Sequence, residues 1–137
     1  TNRGGKITLH NPGQKIIYFV IDLNKRKKDI RKLIDVIEIS IIKFLKIFKI
    51  EANKDMDNIG IWVKRKKIAA IGLRVSKWIA FHGFSINISN NLKDYLKIIP
   101  CGLDNKKITS ILKENKIAPK KFEKKLVKIL VENINKI

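Results

Sequence analysis

The chain has little of what usually staples, stacks or spans. One cysteine, Cys101, stands among 137 residues, so no internal disulfide can form and a reducing compartment suits the protein. Two histidines, His10 and His82, and that cysteine cannot make a convincing zinc site at their spacings, so no metal and no other cofactor is expected. No apolar run approaches the roughly 20 residues of a helical membrane span, and nothing at the start reads as a secretory leader. A cytoplasmic protein with no membrane partner is expected. Aromatic residues make up only 7%, too few for a base-stacking platform, and the lysines are spread rather than clustered, so no nucleic-acid partner is expected. Acidic residues are also scarce: 12 against 31 Lys and Arg, a formal charge of +19. A field of that sign speeds encounter with acidic macromolecules. An AT-rich coding bias toward Lys, Ile and Asn accounts for it without any partner, and on charge alone is the better explanation than dedicated nucleic-acid binding.

What is present is enough apolar residue for one core, 45% of the chain, in a length that suits a single domain. Lys15 to Leu23, KIIYFVIDL, is rich in β-branched and aromatic residues and reads as a buried strand. Asp29 to Ile50 reads as a long amphipathic helix, with Ile30, Leu33, Ile34, Ile37, Ile41, Phe44, Leu45 and Phe48 on one stripe and Asn24 as a possible cap. A polar break at Asn53 to Asn58 precedes two strand-like runs, Ile59–Val63 and Ile68–Val75. They are joined by the basic segment Lys64–Lys67, a hairpin without the usual Gly or Asn. Trp78–Phe81 and Phe84–Ile88 read as two further short strands broken at His82–Gly83, and Leu92–Leu96 as a helical turn. The tail, Ile108–Asn115 and Phe122–Asn135, reads as two helices split by Pro119. Strands in the middle with helices at both ends predict an α/β (α+β) domain.

Four segments carry residues suited to chemistry. Arg3 to Gln14, RGGKITLHNPGQ, combines paired glycines with Arg and His, although taken alone it reads more simply as two turns flanking a strand. Lys67 leads into the small, apolar strand KIAAIG; an ammonium carried into a dry cleft becomes a usable proton shuttle, whereas Lys64, Arg65 and Lys66 fit a solvated turn. His82-Gly83-Phe84 places one histidine beside a glycine, more simply a partly buried side chain than a substrate contact. Pro100-Cys101-Gly102 presents the sole thiol in a tight loop after an apolar run. A lone Cys is usually a small buried apolar residue, but a thiolate near an ammonium is a nucleophile.

In this order the segments RGGKITLHNPGQ, GIWV (Gly60–Val63), KIAAIGLRVSKW (Lys67–Trp78), HGFSINI (His82–Ile88) and IIPCGL (Ile98–Leu103), followed by Thr109-Ser110, resemble the lipoyl(octanoyl) transferase family. The resemblance covers nearly the whole chain. It implies a biotin/lipoate protein ligase-like catalytic domain over residues 1–137, with a mixed sheet flanked by helices and without the N-terminal part that precedes RGG in the family. It implies Cys101 as the acylated nucleophile and Lys67 as its acid/base partner. Substrate contacts fall on Arg3, Gly4, Gly5, Lys6, Ile7, Thr8, Leu9 and His10, on Ala70, Ile71 and Gly72, and on Gly83, Phe84 and Ser85. An acyl groove bordered by Ile71 and Phe84 is expected. The implied partners are octanoyl-acyl carrier protein as donor, with lipoyl domains of 2-oxoacid dehydrogenase complexes and the H-type protein of glycine cleavage as acceptors, acting on a monomer. Asn11 stands where the family usually has Gly, and Asn91 where Asp commonly precedes Leu. Two other functional readings remain beside it: an ATP-dependent ligase-like protein on the same fold, and an inactive remnant.

Overall fold

The computed structural model describes residues 13–89 and 108–137. The first strand, β1 (Gln14–Asp22), is followed by a single 3-10 turn and the helix α1 (Ile30–Ile47). A two-residue strand β2 (Asn53–Lys54) leads to β3 (Ile61–Val63), β4 (Lys66–Ser76) and β5 (Ile79–Asn87). Two helices close the chain, α2 (Ile111–Asn115) and α3 (Glu123–Ile134). The sheet order is β1-β5-β4-β3-β2, with every strand pair antiparallel. Among the described residues the one parallel contact is the bridge between Lys67 and Ile108, which makes the expected mixed sheet mixed only at that point. The chain thus leaves one sheet edge through α1, arrives at the other, and fills the interval by hairpins.

The apolar stripe predicted for α1 is what the fold buries. Leu33, Ile37, Ile41, Phe44 and Leu45 have no exposed surface, and they meet Leu126, Ile129, Leu130 and Ile134 of α3 and the inner face of the sheet. Each such aliphatic side chain contributes about 1.5–3 kcal/mol relative to an exposed one. Phe44 packs edge-on against Phe48, with ring centroids 5.1 Å apart, and against Phe122 at 5.8 Å. Where α1 and α3 approach, Ser40 Oγ donates to Val36 O and accepts from Asn133 Nδ2, so the buried hydroxyl at that crossing is satisfied. Arg26 donates to Ile134 O and Asn135 Oδ1, closing the C-terminal end of α3.

Four local expectations change. The cap of α1 is Asp29, whose carboxylate accepts Lys32 N–H at 2.9 Å; Asn24 lies in the 3-10 turn instead, held by Asp22. Asp29 wins because it sits directly against the apolar stripe. Lys66 and Lys67 belong to β4, so the turn shrinks to Lys64–Arg65, both with positive φ of 48° and 68°. The second hairpin turn, Lys77–Trp78, is built the same way, with φ of 51° and 65°. Third, His82–Gly83 does not break the sheet: β5 runs through it, with φ of 74° and 155° absorbed inside the strand. A Cβ at Gly83 would lie 1.8 Å from Ile17 O on β1, so only glycine lets the strands pair there. Last, the polar break at 53–58 contains β2. The turn proposed at Leu92–Leu96 lies outside the described residues. No helix among the described residues is long and apolar enough to cross a membrane.

Candidate active site at the start of strand β4

Lys67 is the second residue of β4, paired with Trp62 on β3. The register slips between Ile61 and Trp62, so that Ile61 faces Ala69 while Trp62 faces Lys67. Irregularities of this kind re-aim side chains at the rims of sheets. Here the Lys67 methylenes run across Gly60, and Nζ lies 5.5 Å from the centroid of the Trp62 ring. Gly60 has φ +142°, and a Cβ on it would sit 2.8 Å from Lys67 Cε and 3.0 Å from Ala69 O. The backbone conformation and the nearness of Ala69 O both favour glycine here, while a side chain would push the flexible end of Lys67 aside. Burial pushes the Lys67 ammonium below its ordinary 10.5, because leaving water disfavours the charged form. No ion pair offsets this among the described residues, where the pairs are Lys15–Glu123 and Lys54–Asp35.

The backbone around Lys67 gathers the ends of the other motifs. Thr109 N–H donates to Lys67 O at 2.9 Å, and Asn87 Nδ2 donates to Thr109 O at 3.1 Å. Asn87 Oδ1 in turn accepts from Gln14 Nε2 at 2.8 Å. Ile88 and Ser89 N–H both donate to Gly13 O, at 3.2 and 3.1 Å, and Leu112 N–H donates to Ile88 O at 2.8 Å. Gly13, which follows the RGG motif, the end of β5, and Ile108–Thr109, which follow the Pro-Cys-Gly motif, thus meet at one corner. Cys101 and Arg3 through His10 lie outside the described residues.

The remaining candidates fall on two faces of the sheet, since successive strand residues point to opposite sides. Ala70 pairs with Ser85, and Gly72 with Gly83, forming a row of small residues on one face. Ile71 and Phe84 pair with each other on the other face. Phe84 is fully buried in the core and Ile71 packs against it, so both lie beneath that row rather than beside it. The His82 Nε2 is buried without a hydrogen-bond partner among the described residues, and no group of three or more His, Cys, Asp or Glu among them is placed to hold a metal ion.

Two residues that shape the corner were not singled out from the sequence. The sequence marks Gly60 only as part of GIWV; its position immediately before the short strand IWV is the signal it carries. Glu38 was passed over on α1, although an acid inside the stripe Ile34–Ile37–Ile41 is anomalous. It is buried, and its Oε2 accepts Gly60 N–H at 3.4 Å. Burial raises its carboxyl above the ordinary 4.5, with the Gly60 hydrogen bond working in the opposite direction.

Residues 1–131 match the family model described as the lipoyl protein ligase A/B catalytic domain. The chain belongs to this family. Within it, the chain is 46% identical over 123 residues to an octanoyltransferase of Bartonella tribocorum, covering 80% of this chain and 50% of that protein. It is 48% identical over 118 residues to an octanoyltransferase of Rickettsia rickettsii, covering 81% and 56%. The chain therefore spans about half the length of the curated relatives it matches. Among solved structures it resembles the biotin protein ligase of Aquifex aeolicus in complex with biotin and ATP, with a TM-score of 0.77 at 21% identity, covering 98% of this chain and 55% of that one. It also resembles a lipoate-protein ligase A bound with ATP, with a TM-score of 0.71 at 11% identity, covering 89% and 51%. These likenesses show the expected ligase-like fold.

Proposed function

We propose that residues 1–137 form the catalytic domain of an octanoyltransferase that moves an octanoyl group from acyl carrier protein to a lysine of a lipoyl domain. The acceptors are lipoyl domains of 2-oxoacid dehydrogenase complexes and the H-type protein of glycine cleavage, modified by a monomer in the cytoplasm without a cofactor. The observation that carries this reading is the meeting of motif ends at Lys67. Ile108, seven residues beyond Cys101, is bridged to the lysine backbone. That length of chain spans at most about 25 Å, a reach within which Cys101 can meet Nζ. The row Ala70–Ser85 and Gly72–Gly83 supplies a floor of small residues for an acyl chain, supported from beneath by Ile71 and Phe84. Arg3 through His10 complete the substrate contacts.

The chemistry follows from an amine whose charge is weakened by burial. The Cys101 thiolate attacks the carbonyl carbon of the octanoyl thioester. As the bond to the carrier sulfur breaks, the Lys67 ammonium gives its proton to the departing thiolate. The acceptor amine then attacks the Cys101 thioester while neutral Lys67 takes its proton. The amide forms, the C–S bond to Cys101 breaks, and the thiolate–ammonium pair is restored. The test is to incubate this chain with octanoyl-acyl carrier protein and map the acyl mass. A hydroxylamine-labile adduct on the Cys101 peptide, absent in Cys101→Ser, is expected. An adduct elsewhere, or acylation of the acceptor only when ATP is supplied, rejects the reading in favour of a ligase-like activity.

A further inference from the structure

The helix α1 reaches the Lys67 corner through one residue. Glu38 is the only acid on the buried stripe of α1, and its Oε2 accepts the Gly60 N–H. Gly60 is the surface on which the Lys67 methylenes lie, closely enough that even a methyl group would meet Cε at 2.8 Å. The carboxylate and the ammonium make no ion pair with each other, yet a three-residue chain of contacts joins them, within roughly 10 Å by standard backbone dimensions. We propose that Glu38 is the positioning residue of this site: by holding the Gly60 N–H it fixes the backbone that sets where Lys67 Nζ points. This rests on the transferase reading for its purpose and not for its geometry.

Two features make the assignment specific. A buried acid in an apolar stripe costs stability, and a role as hydrogen-bond acceptor accounts for its presence where a leucine would pack. Gly60, with φ +142° and no side chain, has few local restraints of its own. Glu38 is also reached from outside, because it lines an open cleft of about 710 Å³ with Arg31, Asp35, Lys54, Asp55 and Asp57. Those are the charged groups that face it. Lys67 faces no charged group among the described residues, and it lies against Trp62 and Gly60.

The experiment is peptide-resolved trace labelling of lysines with an amine-acylating reagent across pH, on the full chain, with exposed Lys46 as internal reference. No acyl donor is needed. In the unaltered chain Lys67 titrates below the ordinary lysine value. Glu38→Gln keeps an oxygen acceptor for Gly60 and is expected to leave the Lys67 midpoint where it was. Glu38→Leu removes the acceptor, and the midpoint moves up toward the ordinary lysine value. Each unit of that movement lowers the neutral fraction near pH 8 about tenfold. Gly60→Ala, with Glu38 intact, displaces Lys67 from the other side and moves the midpoint likewise. If Glu38→Leu does not fold, Gly60→Ala and Glu38→Gln decide. An unmoved midpoint in folded Glu38→Leu or in Gly60→Ala overturns the proposal, and so does a Glu38→Gln midpoint that moves. Failure of Cys101 to take an acyl group would sink the transferase reading and leave this result standing, and the reverse holds as well.

Discussion

At the scale of single residues, Lys67 and Glu38 pull the stability of the chain in opposite directions with pH. Below the folded pKa of Lys67 both folded and unfolded chains hold the proton, and the cost of a partly dry ammonium is felt in full. Between that pKa and 10.5 the unfolded chain holds more protons, so stability rises with pH. For Glu38 the folded chain holds more protons between 4.5 and its raised pKa, so stability falls as pH rises through that window. At neutral pH Lys67 is therefore kept at a cost to the fold. Lys67→Met preserves the methylenes on Gly60 and Trp62 and removes the charge. It should raise stability toward urea at pH 7 by about 1 kcal/mol while abolishing proton transfer. A Lys67→Met chain less stable than its parent would show that the thiolate–ammonium pair of the proposed mechanism outweighs the cost of burying the ammonium.

At the scale of elements, periodicity carried most of what could be read and turn chemistry carried what could not. The α1 stripe announced both the helix and its buried face, because a 3.6-residue repeat with eight apolar positions has few other solutions. β1 was legible from a β-branched run. β5 was divided in two because Gly after His usually ends a strand, whereas here glycine is what lets β1 approach. The hairpin is legible in the sequence but its turn reads too long, Lys64–Lys67 in place of Lys64–Arg65, since neither residue advertises a two-residue turn. Two-residue hairpins with positive φ at both positions favour Asn-Gly, and a non-glycine residue held there costs on the order of 1 kcal/mol or more. Replacing Lys64-Arg65 by Asn-Gly should stabilise the chain by about 1 kcal/mol in chemical denaturation. Unchanged or lower stability would show that the lysine and arginine side chains make compensating contacts. The site was legible only as separate motifs: that Gly13, Ile88 and Thr109 adjoin Lys67 depends on strand order, which no local pattern in the sequence encodes.

At the scale of the whole molecule the question is whether a charge of +19 does anything beyond reflecting codon usage. Among the described residues only Lys15 and Lys54 are ion-paired, so most of the lysines present their charge to solvent. Four of the twelve acids, Asp35, Glu38, Asp55 and Asp57, are gathered on the cleft beside α1 and β2, which leaves the remaining surface more uniformly positive than the total suggests. Such a field steers acidic macromolecules and is screened within about 8–10 Å at physiological salt. It has little hold on a small neutral ligand. The expected outcome is a KM for octanoyl-acyl carrier protein that rises several-fold as salt is raised from low to above physiological concentration, while the KM for octanoyl-pantetheine stays flat. The comparison separates steering from a general effect of salt, because in the proposed reaction both donors deliver the same thioester to the same thiol. Equal salt dependence for the two donors would remove the carrier from the explanation and leave the lysines as a mark of composition alone.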